Sequence, residues 1–240
     1  MTRILALSIP LALAVACSRP APPAVPGPVG SYAADSAQAD TTPRLAPPGW
    51  AHAGDVPATF QIGIDSTVAH GGGASAYIQA RRTPPRGSWG AMLQQVDASM
   101  YAGRRIRVSG FVKREGAGAC EAFVRVDGPI DSQAVVLGFS GTSQKRFRCG
   151  REWSEYSLVL DVPQDAERVV YAYALRSRGR MWVDDVGVIV VDSTVPVDRQ
   201  PEGLPRAPSP AKGETWDPFL IGGKEKPDST AVPTNLTFEK

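Results

Sequence analysis

Histidine is almost missing from this chain: of 240 residues only His52 and His70 carry an imidazole. Imidazole-based metal sites and Ser-His-Asp arrangements are therefore restricted to two positions. An excess of charge of one sign is lacking too, with 26 Lys and Arg against 24 Asp and Glu. A nucleic-acid binder needs a much larger basic footprint, which excludes that class of partner. Cysteine occurs three times. No apolar run after residue 16 is long enough to cross a bilayer as a helix. Proline is plentiful but sparse in the middle: of 22, one is Pro10, eight lie in 18–49, eight in 193–240 and only five in between.

What is present describes one folded middle between two loose, Pro-rich ends. Hydrophobic residues at 42% and charged ones at 21% suit a globular domain, and the length allows a sizeable core. At the start, Arg3 precedes an apolar stretch from Ile4 to Ala16. At about thirteen residues it is too short to span a membrane and fits the core of an export signal. Ala14-Val15-Ala16-Cys17 resembles the lipobox of bacterial lipoproteins, with Ala14 where that motif prefers Leu. The resemblance implies loss of residues 1–16 and acylation of Cys17, hence a membrane partner held through lipid. Ser18 after the cysteine implies the outer membrane of the bacterial cell envelope. An ordinary signal peptide cut at the small residues is the alternative. Residues 17–45 are expected to form a Pro/Ala-rich tether and 196–240 a Pro-rich tail, both disordered.

With Cys17 acylated, Cys120 and Cys149 remain as an even pair in an oxidising compartment, which predicts a disulfide. Neither has a Cys or His partner at metal-ligand spacing; two free thiols are the remaining alternative.

Short alternating or apolar runs fill the middle, broken by Gly, Pro, Asp and Ser. Nine are predicted strands: 59–65, 74–80, 89–97, 105–113, 120–126, 134–139, 156–162, 169–175 and 181–191. Such spacing without helical periodicity predicts an all-β fold, an antiparallel β-sandwich or barrel over 46–195. Ile106, Val108, Gly110 and Val112 alternate with Arg105, Arg107, Ser109 and Phe111, as in half-buried strands.

A family resemblance appears in Pro48-Gly49-Trp50, His70-Gly71, Gln94-Gln95 before Asp97-Ala98, Tyr101 through Arg105, Ser109 through Lys113, Arg125-Val126-Asp127-Gly128 and Met181 through Val186. In this order they resemble the galactose-binding-like jelly rolls of bacterial carbohydrate-binding modules, near groups 4, 9 and 22, across about residues 48–192. The resemblance implies a jelly-roll β-sandwich that binds glycan. It also implies that Asp185 anchors a loop or helps hold a structural Ca²⁺; no other cofactor is expected. The family usually opens with an Asn-Leu-x-Phe-Glu segment. Here Asn235-Leu236-Thr237-Phe238-Glu239 stands at the C-terminal end instead, either as a strand completing the sheet or as the remnant of a further domain.

Catalytic constellations do not assemble. His70-Gly71-Gly72-Gly73 imitates an esterase oxyanion loop, but Gly138-Phe139-Ser140-Gly141-Thr142 lacks the last glycine of a nucleophile elbow and no histidine follows it. Asp184 and Asp185, as strand neighbours, should face opposite ways, unlike a glycosidase pair. Walker, dinucleotide and zinc motifs do not occur. A non-enzymatic binding module is expected.

Its candidate ligand-binding side chains are Arg107, Phe111, Phe123, Arg125, Tyr171 and Tyr173. Flat aromatics suit the apolar face of a sugar ring, and planar polar groups its hydroxyls. Cross-strand packing is the competing role for the same residues. Glycan or another envelope polymer is the expected partner; a structural or protein-interaction lipoprotein with no small-ligand site, or an accessory module of a hydrolase system, is the alternative.

Overall fold

In a computed structural model of the chain, residues 46–55, 59–129, 136–199 and 232–239 are described. The signal segment, the tether and most of the Pro-rich tail fall outside these residues.

Ten strands build the body: β1 Ala51–Gly54, β2 Phe60–Asp65, β3 Ser75–Ala80, β4 Trp89–Asp97, β5 Arg105–Glu115, β6 Ala119–Asp127, β7 Val136–Gly141, β8 Ser154–Asp161, β9 Arg168–Arg176 and β10 Arg180–Val191. They pair antiparallel in two five-stranded sheets. One sheet runs β1-β4-β9-β6-β7 and the other β2-β3-β10-β5-β8, so the chain switches sheets repeatedly. This is an antiparallel jelly-roll β-sandwich. Each of the nine predicted runs overlaps a strand; β1, with the sequence Ala-His-Ala-Gly, is the tenth.

Alternation gives each sheet one inner face. Ile106, Val108 and Val112 of β5 meet Val124, Val126, Tyr171, Tyr173 and Leu175 of the opposing sheet in one apolar cluster. Gly90 has to be glycine there, because a Cβ would come 2.3 Å from Cγ of Phe60. Cys120 and Cys149 form the expected disulfide, closing a separation of 29 residues.

The strand register corrects one expectation about surfaces. β5 and β6 follow each other in sequence but lie in different sheets. Arg107 and Phe111 therefore face outward from one sheet, and Phe123 and Arg125 from the other. These four residues lie on opposite sides of the sandwich. Tyr171 and Tyr173 share one face, as their spacing requires, but it is the inner one: their exposures are 0% and 1%.

Candidate functional site

The tyrosines turn inward because their hydroxyls find buried partners. Tyr171 donates to Oε1 of Gln94, and Tyr173 shares a hydrogen bond with Tyr156. Trp50 packs on both rings, at centroid distances of 5.5 and 5.8 Å. Burial pushes the Tyr156 and Tyr171 phenols far above their ordinary range, so both stay neutral donors. The small residues between them, Ala172 and Ala174, then face outward.

That outward face of the β1-β4-β9-β6-β7 sheet is the candidate site. Its register sets side chains in lanes that run across the strands. One lane is Ala53, Ala91, Ala174 and Glu121. The next is Ala51, Leu93, Ala172, Phe123 and Gly141. Together they form a layer of mostly small apolar side chains across five strands, the trough, roughly 19 Å at the usual interstrand spacing and buried except at its ends. Trp89 stands at one side of it. At the β7 end Phe123 and Phe139 stack, with centroids 5.8 Å apart. The floor is buried, whereas Trp89 and Phe139 are half-buried.

The other side of the trough is polar. A third lane carries Gln95, Val170, Arg125 and Phe139, and a fourth carries Asp97, Arg168 and Asp127. Nε of Arg125 lies 2.7 Å from one oxygen of Asp127, and an Arg125 NH2 donates to the other oxygen at 2.8 Å. Arg168 approaches the same carboxylate at 3.6 Å. Both members of the fork are at most 1% exposed. A buried ion pair of this kind is retained only with its partners in place. It fixes planar donors and acceptors beside an apolar floor.

The remaining predicted residues belong elsewhere. On the opposite sheet Phe111 stacks against His70, with centroids 3.5 Å apart and an interplanar angle of 13°. Arg107 lies two residues before Ser109 on that same outer face, half-buried. Asp185 occupies a bulge in β10 with φ at +47°, which breaks regular alternation. Asp184 and Asp185 therefore both reach the His70 loop rather than opposite sides. Asp184 accepts from the backbone N–H of His70 at 2.7 Å, Gly71 at 3.2 Å and Asp185 at 2.8 Å. Burial raises its carboxyl above the usual range, against those three donors. Asp185 Oδ2 is 2.7 Å from Nδ1 of His70.

Both Asp184 oxygens accept backbone N–H groups, and one Asp185 oxygen faces His70. Among the described residues no group of three His, Cys, Asp or Glu gathers to hold a metal.

The sequence-based list missed Trp89, Phe139 and the alanine floor. Ala172 and Ala174 were the available signal: small apolar residues alternating with the inward tyrosines mark a second apolar layer on the outer face. Tyr171 and Tyr173 drew attention from it.

No protein-family profile matches the chain. A curated relative, "Uncharacterized HTH-type transcriptional regulator YbfP" of Bacillus subtilis (strain 168), is 34% identical over 149 residues, 62% of this chain. The chain spans only 50% of that relative's length. Among the described residues there is no α-helix, so nothing there corresponds to the helix-turn-helix of the relative's name. Among solved structures, the enzymatically active domain of tailspike protein 4 from bacteriophage CBA120 covers 60% of this chain and 20% of its own, at 17% identity and a TM-score of 0.47. The CBM22-1 and GH10 modules of Clostridium thermocellum xylanase 10B, complexed with xylohexaose, cover 59% and 26%, at 16% identity and a TM-score of 0.44. The CBM22-1 xylan-binding domain of Paenibacillus barcinonensis Xyn10C covers 63% and 91%, at 11% identity and a TM-score of 0.43. The fold assignment rests on the strand pairing above.

Proposed function

We propose that this chain is a non-catalytic binding module that takes an extended glycan, or a chemically similar envelope polymer, across the outward face of the β1-β4-β9-β6-β7 sheet. One observation supports the proposal: an apolar layer on the outward face of five strands, bordered by the half-buried rings of Trp89 and Phe139 and by exposed Asp97 beside Arg168. A polymer lying across the strands would set sugar faces against Trp89 and the Phe139 ring. Its hydroxyls would meet Asp97 and Arg168 at the polar side, where the buried Arg125–Asp127 pair holds Arg168. Function is argued from this face, because the fold itself hosts many unrelated activities.

The same proposal holds the domain at the envelope through acylated Cys17, with residues 17–45 as the tether. Several acyl chains would give lasting attachment where one is marginal.

Two experiments test these parts separately. A carbohydrate array probed with the non-acylated chain, carrying Cys17→Ser, is expected to give selective polysaccharide binding. An array with no selective signal would overturn the glycan assignment. In cells, labelled palmitate is expected to enter the wild-type chain and not the Cys17→Ser variant. Equal labelling of both, or of neither, would remove the anchor.

A further inference from the structure

The C-terminal residues 233–239 are separated from the last strand by a long connection, yet they are built into the sandwich. Phe238 is fully buried and packs on Trp50, with ring centroids 5.4 Å apart. Trp50 Nε1 donates to the Asn235 carbonyl at 3.1 Å, and the Val186 N–H donates to the Leu236 carbonyl at 3.1 Å. Gln94 receives the Thr234 N–H and donates to the Thr234 carbonyl, both at 2.9 Å. At the far end the Glu239 carboxylate accepts the N–H groups of Gly73 at 2.7 Å and Ala74 at 3.3 Å.

Each of these contacts reads a peptide rather than a neighbouring strand. The notch takes main-chain groups at three successive residues, a phenyl ring in a pocket and a carboxylate on two amides. Gly72, at φ +59°, is shaped to the last of these: a Cβ there would lie 2.1 Å from Oε1 of Glu239. The segment itself holds Asn235 at φ +47° and Phe238 at φ +58°. Left-handed backbone at a phenylalanine persists only where the surroundings impose it. The 32 residues from 200 to 231 could extend roughly 100 Å, so connectivity does little to force the segment into place.

We infer that this notch, formed by Trp50, Gln94, Gly72–Ala74 and Val186, is a peptide-binding site whose ligand is a segment with Phe followed by Glu, bent through left-handed Asn and Phe, held by affinity rather than by connectivity, so that the C-terminal segment of a second copy of this chain can replace the chain's own. The inference does not depend on what the trough binds. Its partner is committed by the segment seated there: a second copy carries the same residues on an equally long connection.

The test introduces one site-specific protease site within residues 205–225 of the full chain. After cutting, the fragment that ends at residue 240 is expected to co-elute with the body at micromolar concentration. A synthetic peptide of residues 232–240 should displace it. The same peptide with Phe238→Ala should need on the order of 100-fold more, and with Glu239→Gln roughly tenfold more. Cut chains carrying two different tags should exchange fragments on mixing. Competition by peptide keeps the notch filled, so the body need not fold without its plug. A fragment that fails to co-elute with a folded body at micromolar concentration would overturn the inference. So would displacement by the Phe238→Ala peptide as efficient as by the native one, or a failure of mixed chains to exchange.

Discussion

Gln94 and Thr234 stand 140 residues apart in the chain and share a closed pair of hydrogen bonds. The same amide donates to the Gly49 carbonyl at 3.0 Å, and its oxygen also receives the Tyr171 hydroxyl. One buried side chain thus ties together the loop before β1, the central strand β9 and the C-terminal segment. Replacing it by leucine leaves a buried tyrosine hydroxyl and backbone groups without partners. Gln94→Leu is expected to cost about 2–3 kcal/mol, read from the urea midpoint. A midpoint within experimental error of wild type would show that these groups find other partners.

Cys120 and Cys149 close a loop whose removal acts mainly through the unfolded chain. On the chain-entropy account, a double serine variant should lose about 3–4 kcal/mol. Reduction of the wild-type chain with dithiothreitol should lower its stability toward that of the variant. A double variant as stable as the oxidised protein would contradict a structural role for the bridge.

Acid should weaken the sandwich through Asp65. Burial alone would raise its carboxyl, but Thr67 gives it two hydrogen bonds, Trp182 Nε1 donates at 2.9 Å and Arg180 lies at 2.8 Å. Together these hold its pKa at about 2, below the ordinary value of 3.8. A carboxyl depressed in the folded state stabilises fully above the unfolded pKa and loses that stabilisation as pH falls through the folded one. The stability gap between wild type and Asp65→Asn should therefore be constant above pH ~5 and shrink between pH ~4 and ~2. Urea titrations followed by tryptophan fluorescence measure it. A gap independent of pH across that window would rule out the ionised Asp65 as its source.

Sequence and structure agree where a rule acts locally, and part where a partner comes from far away. The alternation of Ile106, Val108 and Val112 with Arg107, Ser109 and Phe111 marks the inner face of β5 without ambiguity. It cannot say that β6 lies in the other sheet, since that depends on how the intervening chain crosses the core. Tyr171 and Tyr173 look like surface aromatics because phenols prefer water. Gln94 and Tyr156 satisfy them inside instead. β1 escaped notice because Ala51-His52-Ala53-Gly54 carries little strand propensity and is held by pairing with β4. The Asn235–Glu239 motif was legible as a segment of the fold, but its place beside Trp50 was not. The trough was hardest to see: its floor consists of alanines, which say little in one dimension.

The outward face can be tested at its half-buried rim. Phe139→Ala removes the ring that stacks on Phe123 at the β7 end. The variant should keep the near-ultraviolet signature of the fold and bind polysaccharide more weakly. Binding at wild-type strength in a folded Phe139→Ala protein would move the ligand away from this end of the face.

The most direct test of the account is a calorimetric titration with the polysaccharide selected on the array, comparing the wild-type chain with Trp89→Ala. The trough predicts an affinity roughly tenfold lower for the variant, with the fold unchanged. Phe111→Ala, on the opposite sheet, should bind as wild type does. The reverse pattern, with Phe111→Ala impaired and Trp89→Ala intact, would place recognition on the other side of the sandwich and contradict the account.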